Sequence, residues 1–102
     1  MTGMTQPPEV TDNPAESRLE IRVGDELAVL TYRRRADRLI LVHTGVPNDL
    51  GGHGLAGSLT QAAIAKSAAE GLTMVPLCPF ARSWLERHPE AAAVSVDWGA
   101  AG

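Results

Sequence analysis

Gly51-Gly52-His53-Gly54-Leu55-Ala56-Gly57, within the run 48–70, divides the chain into two kinds of pattern. Before it, apolar residues alternate with polar ones; after it, they recur at helical spacing. Four glycines in seven residues exceed what a tight turn requires. They leave the backbone N–H groups of the following helix start open and positively polarised, an arrangement that favours phosphate.

Upstream, Leu19, Ile21 and Val23 alternate with Arg18, Glu20 and Arg22, giving a strand with one buried and one wet face. Gly24-Asp25-Glu26 turns the chain into a second strand over 27–33, with Ala28, Leu30 and Tyr32 on one side. Residues 34–37 form a polar turn and 38–44 a third strand. Residues 39–42 of that strand are all apolar, which predicts burial on both faces and a central position. Three strands with short connections make an antiparallel meander. Residues 1–17 carry almost no apolar side chains and are expected to be a flexible tail.

Downstream, 54–70 reads as a helix with Leu55, Ala56, Leu59, Ala63 and Ile64 on one arc and Ser58, Gln61 and Ala65 opposite. Gly71 stops it. Residues 72–77 form a fourth strand, made parallel to the third by the strand-helix-strand crossover. Pro79 opens a short helix over 80–87, ended by His88-Pro89, and Val94, Val96 and Trp98 mark a weak last strand before a disordered 99–102. The expected fold is α/β in the α+β sense. One domain over 18–98 has a mixed, mostly antiparallel sheet with one parallel pair around a central helix, plus a short C-terminal helix.

The chain has 102 residues and a formal net charge of −3, which argues against a nucleic-acid partner. Its one tight basic cluster, Arg33, Arg34 and Arg35, reads as a solvated hairpin end. Cys78 is the single cysteine, so no internal disulfide is possible and a reducing cytoplasm is the expected compartment. No leader pattern is present and no apolar run reaches the roughly 18 residues of a spanning helix, so no membrane partner is expected. Three histidines and one cysteine lack close ligand spacing, so no metal is expected either.

Residues 52–57 match the dinucleotide fingerprint G-x-G-x-x-G literally, but the context differs. Residues 45–51 separate the loop from its strand, no acid ends the next strand, and hairpins precede it. Nothing matches the Gly-Lys-Ser/Thr of a P-loop.

Gly51-Gly52-His53-Gly54-Leu55-Ala56 resembles the acyl-coenzyme A loop of the GNAT N-acetyltransferases, with Gly54 and Ala56 matching and Gly51 replacing the usual Gln or Arg. His43-Thr44-Gly45-Val46-Pro47, Val75-Pro76-Leu77-Cys78-Pro79-Phe80 and the stretch from Trp84 to Glu90 extend the resemblance to the small single-domain GNAT-like enzymes. The resemblance implies that acetyl-coenzyme A is the cofactor and an amine, possibly on a protein, the acceptor. It also implies that Val46, Gly51, Gly52, His53, Gly54, Leu55, Ala56 and Gly57 contact the coenzyme. Cys78 becomes a candidate acyl carrier or proton donor to the leaving thiolate, and His43, expected on the face of Leu39 and Leu41, a candidate base. Phe80 and Trp84 read as core residues, and Arg82 or Arg87 as possible contacts to the adenosine phosphate. Relatives carry an acid where this chain has Gly45, and larger ones wall the acceptor site with helices that a direct turn at Gly24-Asp25 omits. An open acceptor side follows. The competing readings are a noncatalytic acyl-coenzyme A binding module and a small interaction domain.

Overall fold

The computed structural model describes residues 9–51, 54–89 and 94–98. Five strands form one sheet in chain order: β1 (Thr11–Asn13), β2 (Arg18–Val23), β3 (Glu26–Arg35), β4 (Arg38–Gly45) and β5 (Thr73–Pro76). The first four pair antiparallel, and β4 and β5 are parallel, joined through the helix α1 (Leu55–Glu70). A second helix, α2 (Pro79–Arg87), follows β5 directly. The mixed α+β architecture expected from the sequence is present. The last strand is reduced to one parallel bridge, Met74 to Val96. The segment 99–102 lies outside the described residues, as do 1–8.

The expected tail is corrected over its second half. Thr11–Asn13 pairs with 18–20 of β2 after a single 3-10 turn at Pro14–Glu16. Val10 packs on the core just ahead of this strand, and polar side-chain contacts tie the strand itself. Tyr32 Oη donates to Asp12 Oδ1 at 2.6 Å, and Lys66 Nζ donates to Asp12 Oδ2 at 2.6 Å and to Glu70 Oε2 at 2.9 Å. Arg34 completes the chain by pairing with Glu70.

The register of β3 on β4 changes phase. Thr31 faces His43 but Tyr32 faces Leu41, so Val42 is an extra residue, a β-bulge. Up to Leu41 the odd residues of β4 face the core; beyond the bulge the even ones do, and Thr44 lies opposite buried Leu30.

Both helices pack on one side of the sheet. Leu39 and Leu41 share a single apolar cluster with Leu55, Leu59, Ala63 and Ile64 of α1 and Ala81, Trp84 and Leu85 of α2. Ile40 and Val42 are only half-buried, so the apolar run 39–42 is covered on one face, not both. The buried arc of α1 also holds two hydroxyls, Thr60, which donates to the Ala56 carbonyl at 2.9 Å, and Ser67.

The closest helix approach is at Gly57. A Cβ there would stand 2.9 Å from Trp84 Nε1, and the indole cannot easily yield because it is buried and stacked on His88 with ring centroids 4.1 Å apart. Gly57→Ala should therefore overpack the junction at a cost of about 1–3 kcal/mol, offset by at most about 1 kcal/mol of helix propensity. A melting temperature lowered by several degrees is expected, since each kcal/mol corresponds to about 4–8 °C in a domain of this size; differential scanning calorimetry checks it.

The polar tie of β1 carries a pH dependence. Burial opposes ionisation of Asp12, but the hydrogen bonds from Lys66 and Tyr32 and the nearby ammonium charge outweigh it and hold its pKa below the usual value. Burial and the Asp12 hydrogen bond push Tyr32 up to about 12. A carboxyl with a depressed folded pKa contributes stability that is present above its unfolded pKa and lost as pH falls through the folded one. Acidification below about pH 4 should lower the urea midpoint, and Asp12→Asn should lower it at neutral pH and reduce the acid-side loss, the remainder coming from Glu20 and Glu70, whose partners also hold them below the ordinary carboxylate value.

Candidate functional site

Gly54 is the N-cap of α1, at φ +74 in the left-handed region that favours glycine. A Cβ there would meet nothing within 4 Å, so conformation rather than crowding selects the residue. No side chain caps this helix start, and the first-turn N–H groups have no intrahelical acceptor. The residues of this turn line a cleft of about 190 Å³ together with Val46, Leu50, Gly51, Gly54 and Phe80. Ligand pockets run to roughly 300–1,000 Å³, so this cleft suits one segment of an elongated ligand.

The sequence-predicted loop residues are therefore gathered in one place. Val46, Gly51, Gly54, Leu55, Ala56 and Gly57 all line the cleft, whereas Gly52 and His53 lie outside the described residues. Gly51 ends a 3-10 turn at Asn48–Leu50 in extended conformation, φ −64, that any residue can adopt. Two lining residues were not anticipated. Leu50 is an apolar side chain in an otherwise polar turn, a signal visible in the sequence. Phe80 shares a helix face with Trp84, four residues on, and so looked like core; it is 38% exposed where Trp84 is 7%. The first turn of α2 overhangs the cleft, which frees its ring.

Among the described residues no charged side chain lines the cleft. The residues fit a diphosphate bound by backbone N–H groups and the helix dipole, without carboxylates to repel it. Nearby, Glu26 is held above the ordinary carboxylate range, first by a hydrogen bond with Asp49 of the 3-10 turn.

Cys78 is buried at the N-cap of α2. Its Sγ lies 3.1 Å from Thr44 Oγ1, which reaches it because the bulge turns Thr44 to the helix side. The backbone N–H groups of Leu77 and Cys78 both donate to the Leu41 carbonyl, at 3.0 and 2.9 Å. Leu41↔Pro76 is the last pair joining β4 to β5. The ladder between the two parallel strands ends there, and beyond it Thr44 and Cys78 meet through their side chains.

His43 corrects the sequence expectation. The bulge places it opposite Thr31, on the face away from the helices, and it is exposed. It lies beside Gly45, whose Cβ would sit 3.6 Å from His43 Nε2. An acidic side chain at 45 would meet that imidazole and not Cys78.

His88 is the C-cap of α2, with Nδ1–H donating to the Trp84 carbonyl at 2.9 Å and the ring stacked on the indole. Arg82 turns to Glu86 and the Trp98 ring, and Arg87 to Ser83, so both arginines are engaged along α2. Among the described residues no three His, Cys, Asp or Glu side chains are grouped to hold a metal, and no helix is long and apolar enough to cross a membrane.

Comparison with known proteins agrees with this geometry. The solution structure of a GCN5-like protein from Staphylococcus aureus superposes with a TM-score of 0.68 at 26% sequence identity, covering 89% of this chain and 92% of that one. The model of the GCN5-related N-acetyl-transferase family matches residues 18–94, most of the chain. The chain therefore belongs to the GCN5-related N-acetyltransferases.

Proposed function

We propose that the chain binds acetyl-coenzyme A across the α1 N-terminus and transfers its acetyl group to an amine. The observation that carries this reading is the uncapped start of α1 at Gly54, beside a cleft that no charged side chain of the described residues lines. Acetyl-coenzyme A, when bound, supplies an activated thioester. The N–H groups of Leu55, Ala56 and Gly57 would hold the diphosphate, while Val46, Leu50 and Phe80 cover the apolar part of the ligand and exclude water. Cys78, held by the Leu41 carbonyl and facing Thr44, stands where a thiol could carry the acyl group or return a proton to the leaving thiolate. Positioning supplies most of the rate in such a site, since effective molarities reach ~10⁵ M or more when reactants are well aligned.

Noncatalytic acyl-coenzyme A binding is favoured by a specific observation: His43 and Gly45 face away from Cys78, and no acid stands beside the imidazole at 45. One variant tests the cleft that both readings share, and a second tests the thiol. Ala56→Asp puts a carboxylate in the first turn of α1, where the helix dipole welcomes it but a diphosphate does not. Its melting temperature should hold or rise while coenzyme A binding weakens at least about tenfold, or ~1.4 kcal/mol, by calorimetry; unchanged affinity would remove the ligand from this cleft.

Cys78→Ser should retain coenzyme A binding and lose most coenzyme thiol release in the presence of an amine panel. Full turnover by the variant takes Cys78 out of the chemistry. Binding without thiol release by the unmodified chain establishes the noncatalytic reading.

A further inference from the structure

The sheet has a second face, and neither helix covers it. Ile40 and Val42 of β4 stand outside the apolar cluster and are half-buried, and Leu77, just past β5, is 48% exposed. These three side chains and Arg33 and Arg35 of β3 line a groove of about 360 Å³. Arg33 lies opposite Ile40 in the β3–β4 register.

The charges of this groove are unbalanced within the fold. Arg18, Arg34, Arg38 and Arg82 each pair with a carboxylate of the chain. Arg33 and Arg35 make no ion pair among the described residues, and no carboxylate lines the groove. The hairpin-end reading of the arginine trio therefore covers only part of it: β3 runs straight through to Arg35, and just Arg34 turns to the helix side. Two unneutralised guanidinium groups beside a bulky exposed leucine, on a chain of net charge −3, are a local departure from the surface around them.

We propose that this groove docks an extended segment of a partner protein in which carboxylates and a bulky apolar side chain share one face. Arg33 and Arg35 are two residues apart on one strand face, about 7 Å, the interval at which an extended chain presents successive side chains to one side. Guanidinium groups take carboxylates in bidentate pairs, and Ile40, Val42 and Leu77 give the apolar side chain a floor. Two arginines without an aromatic stacking partner do not suit a nucleic-acid strand. The inference needs the uncovered face and not the acetyl-transfer reading, although Val42 and Leu77 flank the point where β4 and β5 part, so a docked segment would lie beside that opening.

The test is an amide NMR titration of the full chain with a synthetic peptide of sequence Glu-Ser-Glu-Ser-Leu-Ser-Leu, whose extended form aligns glutamates and leucines on one face. The expected result is a saturable, salt-weakened shift of the amides of Arg33, Arg35, Ile40, Val42 and Leu77. A lysine-for-glutamate peptide should give none, and an alanine-for-leucine peptide a weaker response. Charge reversal in Arg33→Glu with Arg35→Glu should weaken binding at least about tenfold. Arg33→Gln with Arg35→Gln, which adds no repulsion, should do so in part with the amide spectrum otherwise unchanged. Absence of shifts, shifts centred elsewhere, equal binding of oligothymidine, affinity indifferent to both variants, or a dimer of the chain alone that these variants dissociate would each overturn the proposal.

Discussion

Because Val42 has no partner on β3, the two strands change phase between Leu41 and His43, and Leu41 and Thr44 come to face the helices together. A bulge also increases the local twist of its strand. The Leu41 carbonyl accepts from both Leu77 and Cys78, so β5 is pinned at the residue where the phase changes. Its continuation goes straight into α2 through Pro79, and Cys78 is delivered against Thr44. Without the extra residue His43 would point into the core and Thr44 outward. The thiol would then meet an imidazole in place of a hydroxyl.

The glycine loop depends on the same geometry from the other side. α1 must cross from the end of β4 to the start of β5 over a short distance, and it lies close to α2 because Gly57 leaves room for the Trp84 indole. That contact fixes where the first turn of α2 stands, and therefore where Phe80 overhangs the helix start. The cleft is thus a product of two helix beginnings, one uncapped after Gly54 and one opened by a proline, held at a spacing set by a missing side chain. The described residues of its walls carry no charge, so among them the N–H groups of the α1 start are the main source of potential beside it.

The meander, the crossover and both helices were legible in the sequence, because alternation in 18–23 and 27–33 and the 3.6-residue spacing after Gly54 are local signals and Gly71, Pro79 and His88-Pro89 punctuate them. The bulge was not legible: a one-residue insertion inside Leu-Ile-Leu-Val leaves no compositional mark, yet it inverts every later side chain of the strand. That is why His43 was expected on the wrong face while Cys78, on another element, was unaffected. β1 was missed for a different reason. Thr-Asp-Asn has no apolar pattern, and what orders it is a set of partners 20 and 54 residues away in the chain, Tyr32 and Lys66. Phe80 was misread because period alone cannot tell the covered end of a helix from the end that overhangs a cleft.

The two faces of the sheet differ in what a chain this short can supply. On the helix side the fold provides a complete wall, from Leu19 to Leu85, and the candidate coenzyme cleft at its edge. On the other side the described residues provide none. The first two strands are joined by the turn Pro14–Glu16 and the next two by Gly24-Asp25, and neither connection holds a helix that could enclose an acceptor. Selectivity for an acceptor therefore has to come from the strands themselves or from a second molecule. The only outward side chains near the β4–β5 opening able to provide it, among the described residues, are His43, Val42, Leu77 and the arginines of β3. On the proposed acetyl-transfer reading, a protein that docks across the sheet would bring the wall that the described strands lack, and an open face is the arrangement that lets it do so.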